Sequence, residues 1–279
     1  MFLKKIIKIP LFVLILLLSF TLILLASCKV TAPDEILDSA RTDVGKEEVI
    51  DKEEVDSSKE EMIVEDKEEA MVSFSFSNAV KTPHWVDNVP ANNIILPGVP
   101  VNVIINFNFD LYEGSKIIIE NNGLQYNTGN ATIDENNLTL RVGMDPESPD
   151  GLYKVSYTAC WPDSSCHEGS FEFAIDRNLS ENFTDLRGTK EVTINMENIS
   201  FDMPQIIIDS GTTITWINLE DAGHYINSDP HSGHNYYPEQ NSRLLSKGDF
   251  YSFTFEMQGI YPYHCSAHYS TMQGSILVE

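Results

Sequence analysis

From residue 71 onward the chain is a succession of short β-branched or aromatic segments separated by turn signals, and that pattern leaves room for little but a β fold. The first set comprises Val101 to Phe109, Lys116 to Ile119, Leu138 to Val142, Leu152 to Tyr157 and Phe171 to Ile175. Several alternate as half-buried strands do, and Pro97-Gly98, Glu113-Gly114, Asn122-Gly123 and Pro149-Asp150-Gly151 punctuate them. A second set follows the polar stretch near 178–187: Val192 to Met196, Gln205 to Ile208, Thr212 to Ile217, Tyr251 to Phe255, Ile260 to Cys265 and Ser275 to Val278. The expected fold class is all-β, with two β-sandwich domains of about a hundred residues each, at residues 76–180 and 188–279. Asp209-Ser210-Gly211 is expected to turn a hairpin between Gln205–Ile208 and Thr212–Ile217.

The residues ahead of the strands have another composition. Lys4, Lys5 and Lys8 precede an apolar run from Ile9 to Ala26, which ends in Leu25-Ala26-Ser27-Cys28. Small residues directly before a cysteine resemble a bacterial lipoprotein signal. The resemblance implies removal of residues 1–27, acylation of Cys28 and a chain exported and lipid-anchored to the cell envelope, on its periplasmic or extracellular face. An uncleaved membrane span is the competing reading, since ~18 apolar residues just suffice to cross a bilayer. Residues 28–75 read as an acidic disordered linker. Between Asp34 and Glu69 there are 16 acidic and 5 basic side chains and no aromatic one, too much self-repulsion and too little apolar surface to pack.

Charge excludes one class of partner. Asp plus Glu number 42 against 18 Lys plus Arg, a formal net charge of −24, which repels phosphate backbones; nucleic-acid binding is not expected. A protein partner is expected to dock through a basic surface, and salt should weaken that association.

The chemistry concentrates near the C-terminus, between Tyr261 and Gly274. On a strand alternate side chains share a face, so Tyr261, Tyr263 and Cys265 point one way and His264 the other, which makes His268 the natural partner of Cys265. Met272 follows on the same loop, and His224 lies where the strand after Thr212 gives way to a loop. A thiolate, two imidazoles and a thioether are the ligand types of a blue-copper electron-transfer site. Such a set suits both copper oxidation states, with little change of geometry between them.

Residues 188–279 resemble the cupredoxin family, in its plastocyanin, amicyanin and pseudoazurin group. The likeness is carried by Thr212 to Trp216, Leu245 to Phe250, Phe253 to Phe255 and the Cys265-x-x-His268 loop. It implies a Greek-key sandwich, one copper ion cycling between Cu(I) and Cu(II), and the ligands His224, Cys265, His268 and Met272. A structural zinc site would not ordinarily recruit Met.

Gly151 to Phe173 resembles the end of the periplasmic copper-resistance CopC family, an immunoglobulin-like sandwich. That family's loop reads Asp-Gly-His, whereas here Cys166 stands between Asp163 and His167. His84 corresponds loosely to the family's N-terminal copper ligand, although here it is internal, so a second copper site at His84 and His167 is an open expectation. Cys160 and Cys166 flank a short turn and, in an exported protein, are expected to form a disulfide; free thiols and a copper-delivery pair are the alternatives. His231 and His234 read either as solvated loop residues or as an auxiliary metal site, and His264 as hydrogen-bonded to a neighbouring loop.

These readings converge on a membrane-anchored one-electron carrier between redox proteins, without a substrate site. An extracytoplasmic copper chaperone or resistance protein is the alternative. Seven histidines with no His-x-His pair argue against a copper oxidase or reductase.

Overall fold

The computed structural model describes residues 73–279. The expected leader, Cys28 and the linker as far as residue 72 lie outside the described residues. Among the described residues helical structure is confined to three 3-10 turns, Arg177–Asn182, Pro238–Gln240 and Ser266–His268, and no helix is long and apolar enough to cross a membrane.

Strand alternation builds the first sandwich. In Gly151–Cys160, Tyr153, Val155, Tyr157 and Ala159 are buried while Lys154 is exposed. This strand lies between Cys166–Ile175 and Lys116–Asn121 in a five-stranded sheet, with Ile95–Leu96 and Leu124–Gln125 at its edges. The opposing sheet runs Trp85–Val89, Asn102–Phe107, Thr139–Met144, Asn127–Ile133. Val103, Ile105, Phe107, Leu140 and Val142 meet Ile117, Tyr153, Val155 and Phe173 between the sheets, at about 1.5–3 kcal/mol for each large apolar side chain buried. Asn122 and Gly123, both at positive φ (50° and 78°), make the tight turn that the Asn-Gly pair announces.

The second sandwich sets Thr184–Asp185, Gln205–Ile208, Gln273–Val278, Gly259–His264 and Asn227–Ser228 against Ser200–Phe201, Glu191–Glu197, Thr212–Asn218 and Phe250–Phe255. Here the sequence expectation fails at one place. Asp209–Gly211 is no hairpin turn, because Gln205–Ile208 pairs in parallel with Gln273–Val278 in one sheet while Thr212–Asn218 pairs with Glu191–Glu197 and Phe250–Phe255 in the other. By changing sheets the chain brings Ile206 and Ile208 opposite Ile214 and Trp216, four apolar side chains that a hairpin would have left side by side in one layer.

The described residues fall within one compact unit, and the two sandwiches share apolar contacts. Asn102–Phe107 is buried on both faces, because Ile104, fully buried, packs into the second core while its neighbours fill the first. In return Ile207, Ile260 and Leu277 join the first core. Tyr236, in the long loop of the second sandwich, donates its hydroxyl to the Ile260 carbonyl (2.9 Å) and accepts from the Val101 N–H (2.8 Å). Arg141, paired with Asp134, donates to the carbonyls of Tyr236 (2.8 Å) and Asn235 (2.5 Å), so that loop is clamped to the first sandwich.

Candidate metal centre

Strand Gly259–His264 carries the chain to Cys265, and a 3-10 turn then reverses it toward Gln273–Val278. Three backbone bonds close this loop on itself: Cys265 N–H to the Met272 carbonyl (2.9 Å), His268 N–H to the Cys265 carbonyl (2.9 Å) and Met272 N–H to the His268 carbonyl (2.9 Å). His224 arrives from the other sheet, after Thr212–Asn218, and is pinned by two backbone bonds with Leu245 (3.0 and 2.8 Å).

These supports bring three side chains together. Cys265 Sγ lies 3.6 Å from His224 Nδ1 and 3.5 Å from His268 Nδ1, and the two imidazole centroids are 5.0 Å apart. An ion held ~2.3 Å from a thiolate and ~2.0 Å from each imidazole nitrogen sets Sγ–N separations of about 3.5–3.8 Å, so the donors fit a metal without rearrangement. Cys265 and His224 have no exposed surface, and only His268 reaches the outside. The Tyr225 N–H donates to Cys265 Sγ from 3.4 Å and helps fix the sulfur in place. Met272 is buried on the same loop and packs in the core that contains Cys265, Trp216 and Tyr263.

Glu220, which the sequence reading passed over, orients His224. Its Oε1 is 2.7 Å from His224 Nε2, which as the protonated nitrogen donates to it and leaves the Nδ1 lone pair facing Cys265. The same carboxylate accepts the N–H groups of Ile199 (2.9 Å) and Asn198 (3.1 Å). Those bonds, Ile199's above all, hold its carboxyl below the usual carboxylate range. Asn198 and Ile199 both have positive φ (55° and 56°), the backbone of a two-residue hairpin turn, unusual for a β-branched side chain. The i,i+4 spacing of Glu220 and His224 was the available signal.

The profile of copper binding proteins of the plastocyanin/azurin family matches residues 189–279. Amicyanin-alpha of Methylorubrum extorquens is 30% identical over 92 residues, 33% of this chain and 73% of that protein. The chain belongs to the plastocyanin/azurin family. Amicyanin of Paracoccus denitrificans is 28% identical over 88 residues, 32% of this chain and 65% of the relative, so the chain spans just under two thirds of its length. Among solved structures, a purple cupredoxin of Nitrosopumilus maritimus matches with 28% identity, a TM-score of 0.28, and coverage of 32% of this chain and 99% of the other. Ahead of this plastocyanin/azurin-type region a CopC domain profile matches residues 85–176.

Outside the cluster, Cys160 and Cys166 are joined in a disulfide, at opposed positions of the hairpin Gly151–Cys160 and Cys166–Ile175. His84 and His167 are exposed and both lie near Trp161, with ring centroids 5.4 and 6.4 Å from it. His84 stacks on Phe109 and bonds Asn108 through Nδ1 (2.9 Å). Among the described residues neither belongs to a cluster of three ligating side chains. Asp163 is engaged by Ser165, whose hydroxyl above all holds its carboxyl below the usual range.

Proposed function

We propose that this protein is a type 1 blue copper protein that passes single electrons between redox partners outside the cytoplasmic membrane, to which Cys28 anchors it. The observation that carries the reading is the buried Cys265 sulfur within 3.6 Å of two imidazole nitrogens, inside a plastocyanin/azurin-type sandwich. His224, Cys265 and His268 would hold the metal, and Met272 would add a weaker thioether donor. Copper bound there supplies one-electron redox chemistry. The protein's part is to keep that geometry fixed: Glu220 locks the His224 ring, the loop bonds around Met272 lock Cys265 and His268, and burial excludes water from the sulfur. A rigid donor set lowers the reorganisation that each change of oxidation state requires. His268, the one ligand with exposed surface, offers the route for the electron, and the excess of acidic over basic residues, 42 against 18, favours a partner with a basic docking face.

Loading the full chain with one equivalent of Cu(II) tests this. An intense blue absorption with narrow copper hyperfine splitting, lost in Cys265→Ser, is expected. A pale Cu(II) spectrum indifferent to that substitution overturns the reading. A copper chaperone is the second reading, favoured by the CopC profile match at 85–176. The division into modules at 76–180 and 188–279 belongs to either proposal. Retention of copper through repeated oxidation and reduction speaks for the carrier, and its release to a metal-free acceptor for the chaperone.

A further inference from the structure

The strand that turns Cys265 inward turns His264 to its other face, and three histidines meet there. His264 is wholly buried, and its Nε2 lies 3.2 Å from His231 Nδ1. His234 completes a near-equilateral triangle, with centroid separations of 5.1 Å to His264, 5.5 Å to His231, and 5.2 Å between His231 and His264. One ring nitrogen from each lies within 4.8 Å of the others. His231 and His234 come from the loop that Arg141 clamps to the first sandwich, so the triangle is held from both sides.

The surroundings resemble those of a ligand set. Asp229 Oδ1, 2.7 Å from His264 Nδ1, accepts that proton and directs the Nε2 lone pair into the triangle. Ser266 Oγ is 3.0 Å from His234 Nε2, and Tyr269 stacks on His231 at 4.6 Å. Two imidazole nitrogens bound to one tetrahedral ion at ~2.0–2.1 Å stand about 3.3–3.4 Å apart, close to the 3.2 Å between His231 and His264, with the His234 nitrogen within 4.8 Å of both. Three nitrogen donors without a free carboxylate do not suit Mg(II) or Ca(II), and among imidazole-seeking ions Cu(II) binds most tightly. His231 and Asp229 also border a cleft of about 680 Å³ between the sandwiches, and His231 is exposed, so the cluster is reachable from solvent.

We propose that His231, His234 and His264 form a second metal site, distinct from the Cys265 centre and from His84 and His167, which takes Cu(II) in preference to Zn(II). Because His264 and Cys265 are consecutive, the two sites lie on opposite faces of one strand end.

Metal-stripped full chain titrated with Cu(II) tests it by EPR and by counting bound copper. The expected result is a second equivalent with wide hyperfine splitting, nitrogen coupling and no strong visible band. His231→Gln with His234→Gln should weaken that equivalent at least 100-fold and leave the first equivalent's spectrum unchanged, while Asp229→Asn should weaken it 10–100-fold. Excess Zn(II) should displace the second equivalent only at higher concentration. Since His231 is exposed and His234 half-buried, the glutamine variants should fold, and circular dichroism checks that they do. A second equivalent that persists unaltered in the folded double variant, or a wild-type chain that takes up only the first, overturns the site. The first equivalent's blue band reports on the Cys265 centre separately, so failure of one reading is distinguishable from failure of the other.

Discussion

His224 Nε2 and Glu220 Oε1 are 2.7 Å apart, and through Glu220 the ligand ring is tied to the N–H groups of the Asn198–Ile199 turn. The imidazole therefore cannot rotate without breaking its bond to a carboxylate that a second element holds in place. Glu220→Gln keeps an acceptor but removes the negative charge behind the ligand ring, and Cu(II) affinity measured by chelator competition should fall 10–100-fold with the fold intact. Glu220→Ala should in addition strip acceptors from Asn198 and Ile199 and cost about 1–3 kcal/mol in urea unfolding. Unchanged copper affinity in both variants would show that Glu220 does not orient His224.

The Cys160–Cys166 disulfide closes a loop of only six-residue separation. Loop-closure entropy for so short a ring is about 2 kcal/mol. Cys160→Ser with Cys166→Ser should lower unfolding free energy by about that amount and leave the copper spectrum untouched. A loss of bound copper in this variant would instead favour a delivery role for the pair.

The strands were legible because side-chain alternation is a local property, and the Cys265–His268–Met272 loop because its spacing is local too. What escaped depends on the partner each segment finds. Asn102–Phe107 looks half-buried in sequence, and nothing in it announces that Ile104 enters a second core. Gln205–Ile208 and Thr212–Asn218 look like a hairpin, and only the competition for Ile206, Ile208, Ile214 and Trp216 between two layers decides otherwise. His231 and His234 were legible as a pair that could hold a metal, but the role of Glu220 and the meeting of His264 with that pair depend on loops whose paths no periodicity encodes.

Tyr236 bridges the sandwiches with a fully buried hydroxyl that serves the Val101 N–H and the Ile260 carbonyl. Tyr236→Phe leaves both groups without this partner, at about 1–3 kcal/mol of unfolding free energy by the usual penalty for a buried unpaired donor. Calorimetry should show the wild type unfolding in one transition and the variant at a lower temperature. A variant as stable as the wild type would mean that water replaces the hydroxyl.

Asp185 sets an acid dependence. Arg187, bonded through its side chain at 2.6 and 2.9 Å, lowers the Asp185 pKa from 3.8 to about 2. A depressed carboxylate stabilises the fold above its unfolded value and loses that contribution as pH falls through its folded value. The stability difference between wild type and Asp185→Asn should be present at pH 7, shrink from pH 4 downward and vanish near pH 2, as followed by urea midpoints. The pair is exposed, so the difference should also narrow in high salt. A difference independent of pH would assign the effect to packing.

Gly274 stands opposite Tyr263 in the ladder that carries Cys265 and Met272. A Cβ there would lie 2.5 Å from Tyr263 Cε1 and 2.7 Å from its hydroxyl. The ring has nowhere to go: it is buried, edge-on to Trp216 at 5.7 Å and against Phe201 at 4.8 Å. Gly274→Ala should therefore overpack the site's floor and cost about 1–3 kcal/mol, read as a lowered thermal midpoint. Because displaced Gln273–Val278 would carry Met272 and its bond to the Cys265 N–H with it, the copper hyperfine splitting should change as well. Tyr263→Phe should not rescue the variant, since ring carbons and not only the hydroxyl collide. A Gly274→Ala protein with unaltered midpoint and spectrum would show that the strands can part without moving the ligands.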